Sequence, residues 1–285
     1  MSLSRKTWLI TGVSSGLGKA LAAAALAAGD RVAGTVRTTA AKQAFESSAP
    51  GLAHGFLLDV RDEAGIVQTV REVQALGSGI DVLVNNAGYG LVGAVEEASL
   101  AETRTQFDVN VFGPLALIQA VLPAMREKHA GVIVNVTSVS GLATWQGTGI
   151  YCASKFALEA IGETLAEEVA GLGIKVINVE PGGMRTDYAS RSLMRAACKI
   201  ADYDATAHQS ERILAGHAGN ESGDPAKMAR AILSVVAMEA PPRNLLLGAD
   251  AMHYATRRMG ALLAEIGHWA PVTIDTKFDA PSDKS

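Results

Sequence analysis

Tyr151 and Lys155 stand four residues apart at the head of a stretch with helical periodicity, residues 151–170. Side chains at that spacing share one helix face, so an ammonium can sit beside the phenol. A free tyrosine titrates near ~10, and an adjacent cation stabilises the phenolate and lowers that value. Such a phenol can exchange a proton with an oxygen that gains or loses negative charge, as when a carbonyl accepts a hydride. Ser138, thirteen residues before Tyr151, ends a strand-length apolar run, and its hydroxyl can donate to the same oxygen. Strand-end serines also serve turns, so both roles stay open for Ser138. Cys152 points about a hundred degrees away from Tyr151 on a helix and reads as packing.

A second chemical feature comes early. Thr11-Gly12-Val13-Ser14-Ser15-Gly16-Leu17-Gly18 separates a strand-like run, residues 7–11, from a helical run, residues 17–28. Glycines there allow a tight turn and a close approach to a pyrophosphate, with the helix N-terminus adding a favourable dipole. Gly12, Ser14, Ser15, Gly16, Leu17 and Gly18 are therefore candidate dinucleotide contacts. The spacing is Gly-x3-Gly-x-Gly, not the commoner Gly-x-Gly-x-x-Gly. Where an acid usually accepts the ribose 2′-OH at the end of the second strand, this chain has Arg37. A guanidinium pairs well with a 2′-phosphate, which predicts NADP(H) over NAD(H); a solvated surface arginine is the alternative.

These residues need a frame to hold them. Apolar strand-length runs at 31–36, 55–60, 81–85, 132–137 and 175–180 alternate with helical patterns at 40–47, 63–76, 100–128 and 151–170. That alternation predicts a doubly wound parallel sheet, a Rossmann-type three-layer α/β/α fold in one domain over residues 1–285. The 100–128 helix should bend near Pro114 and Pro123. After Pro181 the rhythm breaks until Asp224-Pro225 opens a helix with an N-cap and proline in its first turn, followed by a strand at 244–247 and a helix at 252–266. An irregular segment at about 183–224 reads as a substrate loop or lid, and 271–285 as a loose polar tail.

Taken together, the motifs resemble the short-chain dehydrogenase/reductase family: T-G-x3-G-x-G at 11–18, Leu58-Asp59-Val60, Asn85-Asn86-Ala87-Gly88, Asn110, Ser138, Tyr151-x3-Lys155 and Pro181-Gly182, all in register. The resemblance implies an NADP(H)-preferring oxidoreductase acting on a ketone, aldehyde or secondary alcohol, with Asn110, Ser138, Tyr151 and Lys155 as its catalytic set. It implies that Asp59 and Val60 meet the adenine, that Asn86, Ala87 and Gly88 line the nucleoside, and that Thr186 beside Pro181 and Gly182 touches the nicotinamide. It further implies that Asn110 holds a water leading to Lys155. From the residues alone, Asn85–Gly88 could be a strand-ending turn and Asp59 a helix cap.

Met184, Tyr188, Leu193, Met194 and Tyr203, with Tyr89, Leu91, Leu142 and Trp145, are expected to line a fairly apolar substrate site. Arg185, Arg191 and Arg195 read as solvated charges. Apolar positions on the long helix and at Phe156, Leu158, Ile161 and Leu165 imply, by the same resemblance, a homodimer or homotetramer. A non-catalytic NADP-binding regulator or scaffold is the alternative function. A net charge of −4 offers no field for nucleic acid, and no cysteine or histidine spacing marks a metal site. Two cysteines and no secretory pattern point to a cytoplasmic location, and no apolar run reaches the ~20 residues of a membrane span.

Overall fold

The computed structural model describes residues 5–77, 79–186, 193–276 and 278. Tyr188 and Arg191 lie outside the described residues. The strands are β1 (Thr7–Ile10), β2 (Arg31–Val36), β3 (Ala53–Leu57), β4 (Val82–Asn85), β5 (Gly90–Val92), β6 (Gly131–Val136), β7 (Ile174–Pro181), β8 (Leu193–Arg195) and β9 (Asn244–Leu247). Seven of them form one parallel sheet in the order β3-β2-β1-β4-β6-β7-β9, and β5 pairs with β8 in a separate parallel ribbon.

Parallel strands need crossover helices, α2 (Thr39–Ser48) between β2 and β3 among them, and these cover both faces of the sheet. Alternate strand residues point to opposite faces. Trp8, Ile10, Val82, Val84, Val132 and Val134 pack with residues of α1 (Gly16–Ala27) and of the later helix Pro225–Val236. Leu9, Leu83 and Ile133 pack with α3 (Glu63–Gln74), α5 (Gly113–Lys128) and α6 (Gly149–Glu168). This double burial is why the strands read as unbroken apolar runs. The expected three-layer α/β/α architecture is the one observed.

The differences from the sequence reading have local causes. The third strand stops at Leu57 instead of Val60, because Leu58 closes the ladder through Val36 O and the chain then turns. The helix expected over 100–128 is divided into α4 (Leu100–Phe107), a π-helical turn at Asp108–Phe112, and α5. Pro114 has no N–H to give the Asn110 carbonyl, so the α ladder cannot run through this point and a wider turn takes its place. The helical run Leu100–Lys128 is long and apolar enough to cross a membrane by length and composition, which counting unbroken apolar runs did not reveal. Its apolar side here lies on the sheet, with Leu117, Ile118, Val121 and Met125 buried.

The segment after Pro181 is more regular than expected. It contains β8, a 3₁₀ turn at Ala201–Tyr203 and α7 (Ala207–His217), ahead of α8 (Pro225–Val236). Asp224 caps α8 as anticipated, accepting from the amides of Ala226 and Lys227. The last long helix, α9 (Ala249–His268), is followed by α10 (Ala270–Ile274), so the first residues of the expected loose tail are helical. Leu158 and Leu165 belong to the core and not to an outer interface, whereas Phe112 and Phe156 are exposed.

Three asparagines cross the middle of the sheet in register. Asn85 Nδ2 donates to Asn135 Oδ1 at 2.9 Å, and Asn135 Nδ2 to Asn178 Oδ1 at 3.2 Å. Asn178 Nδ2 then donates to the main-chain oxygen of Glu159 on α6 at 2.9 Å. Helix and sheet meet closely there, because a Cβ on Gly162 would overlap the Asn178 amide. Alanine in a helix ordinarily gains up to ~1 kcal/mol over glycine. At Gly162 the sign should reverse: Gly162→Ala is expected to lose about 1–3 kcal/mol of stability by overpacking, measured by urea unfolding.

Candidate active site

The candidate residues gather where ligands meet open parallel sheets, at the carboxyl ends of the strands. β1 leads into the glycine loop, β4 into Asn86, β6 into Ser138 and β7 into Gly182. Thr11 ties two of these ends together: its Oγ1 accepts from the amides of Asn86 and Ala87, both at 2.9 Å, and Asn86 Nδ2 donates to Thr11 O at 2.8 Å. Gly12 and Gly16 have φ of 74° and 57°, which suits glycine. A Cβ on Gly18 would overlap both the Asn86 amide and the Gly12 carbonyl. Ser15, the N-cap of α1, makes no side-chain capping bond, so first-turn amides of α1 lack that partner. A glycine cradle opening on an uncapped helix start fits a pyrophosphate. Ser14 is exposed on this loop and Leu17 is buried beneath it.

Arg37 is exposed just beyond β2, and its charge helps lower the pKa of Asp59. Arg61 is the larger cause of that shift: it holds the Asp59 carboxylate through Nη2 at 2.6 Å and also donates its own amide. Asp59 therefore does not cap the next helix. Asp62 caps α3, accepting from Gly65 N at 3.0 Å. Val60, beside Asp59, is buried, and its carbonyl lies where a Cβ on Gly113 would stand.

Tyr151 is half-buried near the start of α6, with the Lys155 ammonium 5.9 Å from its ring centroid. Lys155 is 6% exposed and its Nζ donates to Val136 O at 2.9 Å. Burial pushes its pKa down to about 8, opposed by the charge of Glu159. Asn110 sits in the π-helical turn, accepting from Tyr89 N at 3.2 Å and donating to Tyr89 O at 3.0 Å and Ser154 Oγ at 3.1 Å. Gly88 joins these groups: a Cβ there would stand 3.1 Å from Asn110 Oδ1 and 3.7 Å from Lys155 Nζ. Ser138 Oγ accepts from Ser140 N at 3.0 Å, starting a 3₁₀ turn and leaving its hydroxyl hydrogen to point elsewhere. Its turn role and a donor role are thus compatible.

Pro181 and Gly182 end β7 under the start of α9. Gly183 N donates to Asp250 Oδ2 at 2.7 Å, and a Cβ on Gly182 would overlap that carboxylate. Thr186 lies across the glycine loop, its methyl 3.7 Å from where a Gly16 Cβ would stand. Among the expected lining residues, Leu91 is buried, Met184 packs on the core, and Met194 faces solvent. Leu142 and Trp145 pack on Val139, with Tyr254 edge-on to Trp145 at 5.4 Å. Sequence reasoning missed Ser154, Asp250 and Tyr254. Ser154 carried a signal, being the residue before Lys155 in the Tyr-x3-Lys motif.

A nucleotide cradle beside a phenol and a buried ammonium defines an oxidoreductase of the dinucleotide-binding kind. The sequence model of the short chain dehydrogenase family matches residues 6–196, and the chain belongs to that family. It is 35% identical over 277 residues to Oxidoreductase BOA17 of Botryotinia fuckeliana, covering 94% of this chain and 98% of the relative. It is 35% identical over 241 residues to the 3-ketodihydrosphingosine reductase of Bacteroides thetaiotaomicron, covering 84% and 87%. The crystal structure of a short-chain dehydrogenase from Streptomyces avermitilis shares 41% identity and a TM-score of 0.91, covering 97% of this chain and all of that one. The chain is an oxidoreductase of this family, and the family uses a nicotinamide cofactor.

Past residue 196 the structure is held to the body by carboxylates. Glu97 accepts from Ala94 N at 2.7 Å, Ile200 N at 2.6 Å and His208 Nε2 at 2.7 Å, while Asp204 Oδ1 lies 2.6 Å from His208 Nδ1. Glu102 accepts from Ala197 N, and Glu96 from the Tyr203 hydroxyl. With a carboxylate against each ring nitrogen, His208 uses both of its N–H groups when it is protonated. Its pKa is raised by Asp204 first and then Glu97. Burial raises the pKa of Glu97, but the Ile200 and Ala94 amides and His208 together bring it below the ordinary value; His208 likewise lowers that of Asp204.

The latch is therefore complete below the ordinary histidine pKa of about 6.5 and is lost as pH rises through the raised one. Its carboxylates set the opposite limit, releasing as pH falls through their lowered values. His208→Ala should speed amide hydrogen exchange at Ala197 and Ile200 about tenfold or more, with the core unchanged. Exchange that matches wild type would remove His208 from the latch.

Proposed function

We propose that this chain is an NADP(H)-dependent oxidoreductase that interconverts a fairly apolar ketone or aldehyde and its alcohol. The observation that carries the reading is the meeting of Lys155 and Asn110 at Gly88, with the Tyr151 ring 5.9 Å from the lysine, at the carboxyl edge next to the glycine cradle. When bound, the dinucleotide supplies the hydride for reduction and takes it back in oxidation. Gly12, Ser14, Ser15, Gly16, Leu17 and Gly18 would hold its pyrophosphate, Asp59, Val60, Asn86, Ala87 and Gly88 its adenosine side, and Pro181, Gly182 and Thr186 its nicotinamide end.

The protein's own groups manage charge and protons. Ser138 donates to the substrate oxygen as negative charge grows, and Tyr151 delivers the proton in reduction or removes it in oxidation. Lys155 stabilises the phenolate that remains, and Asn110 keeps a polar route open beside the lysine. Arg37 favours the 2′-phosphate: it is exposed at the end of β2, and the nearby acid Asp59 is already paired with Arg61, which leaves the Arg37 guanidinium to an incoming anion. Trp145, Leu142 and Tyr254, packed on Val139 next to Ser138, would give the site an apolar wall, in keeping with the ketone in the name of the Bacteroides relative. A second copy would dock on the exposed Phe112 and Phe156.

Tyr151→Phe should lower turnover about 10²–10⁴-fold in an NADPH-consumption assay against ketones, aldehydes and quinones, while dinucleotide affinity stays unchanged. Near-normal turnover would exclude Tyr151 as the acid. Arg37→Asp should raise KM for NADPH about tenfold or more and leave KM for NADH much less affected, since one charge-assisted contact to phosphate is lost. Equal changes for both cofactors would remove the 2′-phosphate assignment.

A further inference from the structure

Beneath the proposed site lies a pair of acids that the reaction above does not use. Glu159 is 4% exposed on α6 and Glu180 is fully buried on β7. Among the described residues, none of the four carboxyl oxygens has a hydrogen bond of ordinary geometry, although Thr137, Asn178 and the Leu245 amide lie close. The nearest polar neighbours are engaged elsewhere: Thr137 gives its hydroxyl hydrogen to Val179 O, and Asn178 donates an amide hydrogen to Glu159's own main-chain oxygen. Two ionised carboxylates without well-formed hydrogen bonds are not stable together inside a protein, and a proton shared between them relieves both.

The position of the pair gives it a consequence. Glu159 follows Lys155 by four residues on one helix, and helical side chains lean back toward the N-terminus. The glycine at 141 reports that lean: a Cβ there would stand 3.2 Å from Glu159 Oε2 and 3.1 Å from Lys155 O. Gly141 closes the 3₁₀ turn that Ser138 begins. The acid pair thus underlies both the lysine and the serine of the proposed site.

We propose that Glu159 and Glu180 hold one proton between them, and that the single negative charge left on the pair, one helical turn from Lys155, keeps that lysine an ammonium inside the protein. Glu159 is a positioning residue acting through Lys155, and Glu180 is the donor that lets Glu159 stay ionised. Both acids have raised pKa values, each chiefly through burial; for Glu180 the value reaches about 9, with the charge of Glu159 as the next cause. Glu180 is therefore the protonated partner at neutral pH. The groups facing the pair are Lys155 and Glu163 on α6, Thr137 after β6, Asn178 on β7 and the Leu245 amide on β9. Among these charged groups, Lys155 is the one of opposite sign.

This inference rests on the reading of Lys155 as the partner of Tyr151. In wild type, reductive kcat/KM should fall as pH rises through about 8, where the ammonium is lost. Glu159→Gln removes the negative charge and should move that fall down by about one pH unit. Glu180→Gln keeps a donor toward Glu159 and should leave it in place. A Glu159→Gln profile that superimposes on wild type, with Tyr151→Phe inactive, overturns the pair and spares the hydride-transfer reading. An active Tyr151→Phe overturns that reading instead, and the inference with it. A measurement that needs no Glu159 variant completes the test: the infrared difference between wild type and Glu180→Gln at neutral pH should show the loss of one protonated-carboxyl stretch. No such band would overturn the shared proton.

Discussion

An ammonium ion buried under a parallel sheet's carboxyl edge is costly, because water solvates it better than almost any protein interior. Lys155 is accommodated by the Val136 carbonyl at 2.9 Å and by an acid one helical turn away. Much of the surrounding architecture serves that placement. α6 must approach the sheet until Gly162 touches Asn178, and Gly88 leaves room beside the Asn110 amide, against which a Cβ would be tight at 3.1 Å. The chain at 108–112 must widen into a π-helical turn, which sets Asn110 facing inward while Pro114 removes the amide that would have closed a regular helix.

The rest of the cleft combines stiff and releasable parts. The glycine loop, the end of β4 and the turn after β7 are cross-braced by Thr11, Asn86 and Asp250, so the pyrophosphate cradle is built on strand ends whose positions the sheet dictates. The segment proposed to face the substrate is different. It is attached through Glu96, Glu97 and Glu102, by contacts that protons can add or remove. Rigidity at the proposed cofactor cradle and reversibility at the proposed substrate entrance is a sensible division for an enzyme that repeats a cycle.

The central sheet was legible because strands covered on both faces are built mainly from aliphatic residues; Arg31–Val36 and Asn244–Leu247 match their predicted bounds. The closeness of Tyr151 to Lys155 was legible from their spacing, whereas Asn110 entered only through the family resemblance, and the structure sets it beside Lys155 at Gly88. What was not legible depended on partners far away in sequence. β5 and β8 are three residues each and exist because they pair with one another across a hundred positions. α7 is polar along most of its length and is placed by His208 meeting Glu97. The π-helical turn shows no break in apolar periodicity, and Leu158 and Leu165 could not be told from interface residues until the helix was set on its sheet.

The asparagine ladder has a consequence for how the chain finds its fold. β4, β6 and β7 carry nearly interchangeable aliphatic segments, Val-Leu-Val, Val-Ile-Val and Val-Ile, and by hydrophobicity alone they could slide past one another by two residues without turning a side chain to the wrong face. Each also carries one asparagine, and only the native alignment lets all three amides meet. A slipped arrangement would strand buried amides at about 1–3 kcal/mol apiece. The ladder acts as a proofreading mark, telling three look-alike strands where to stop.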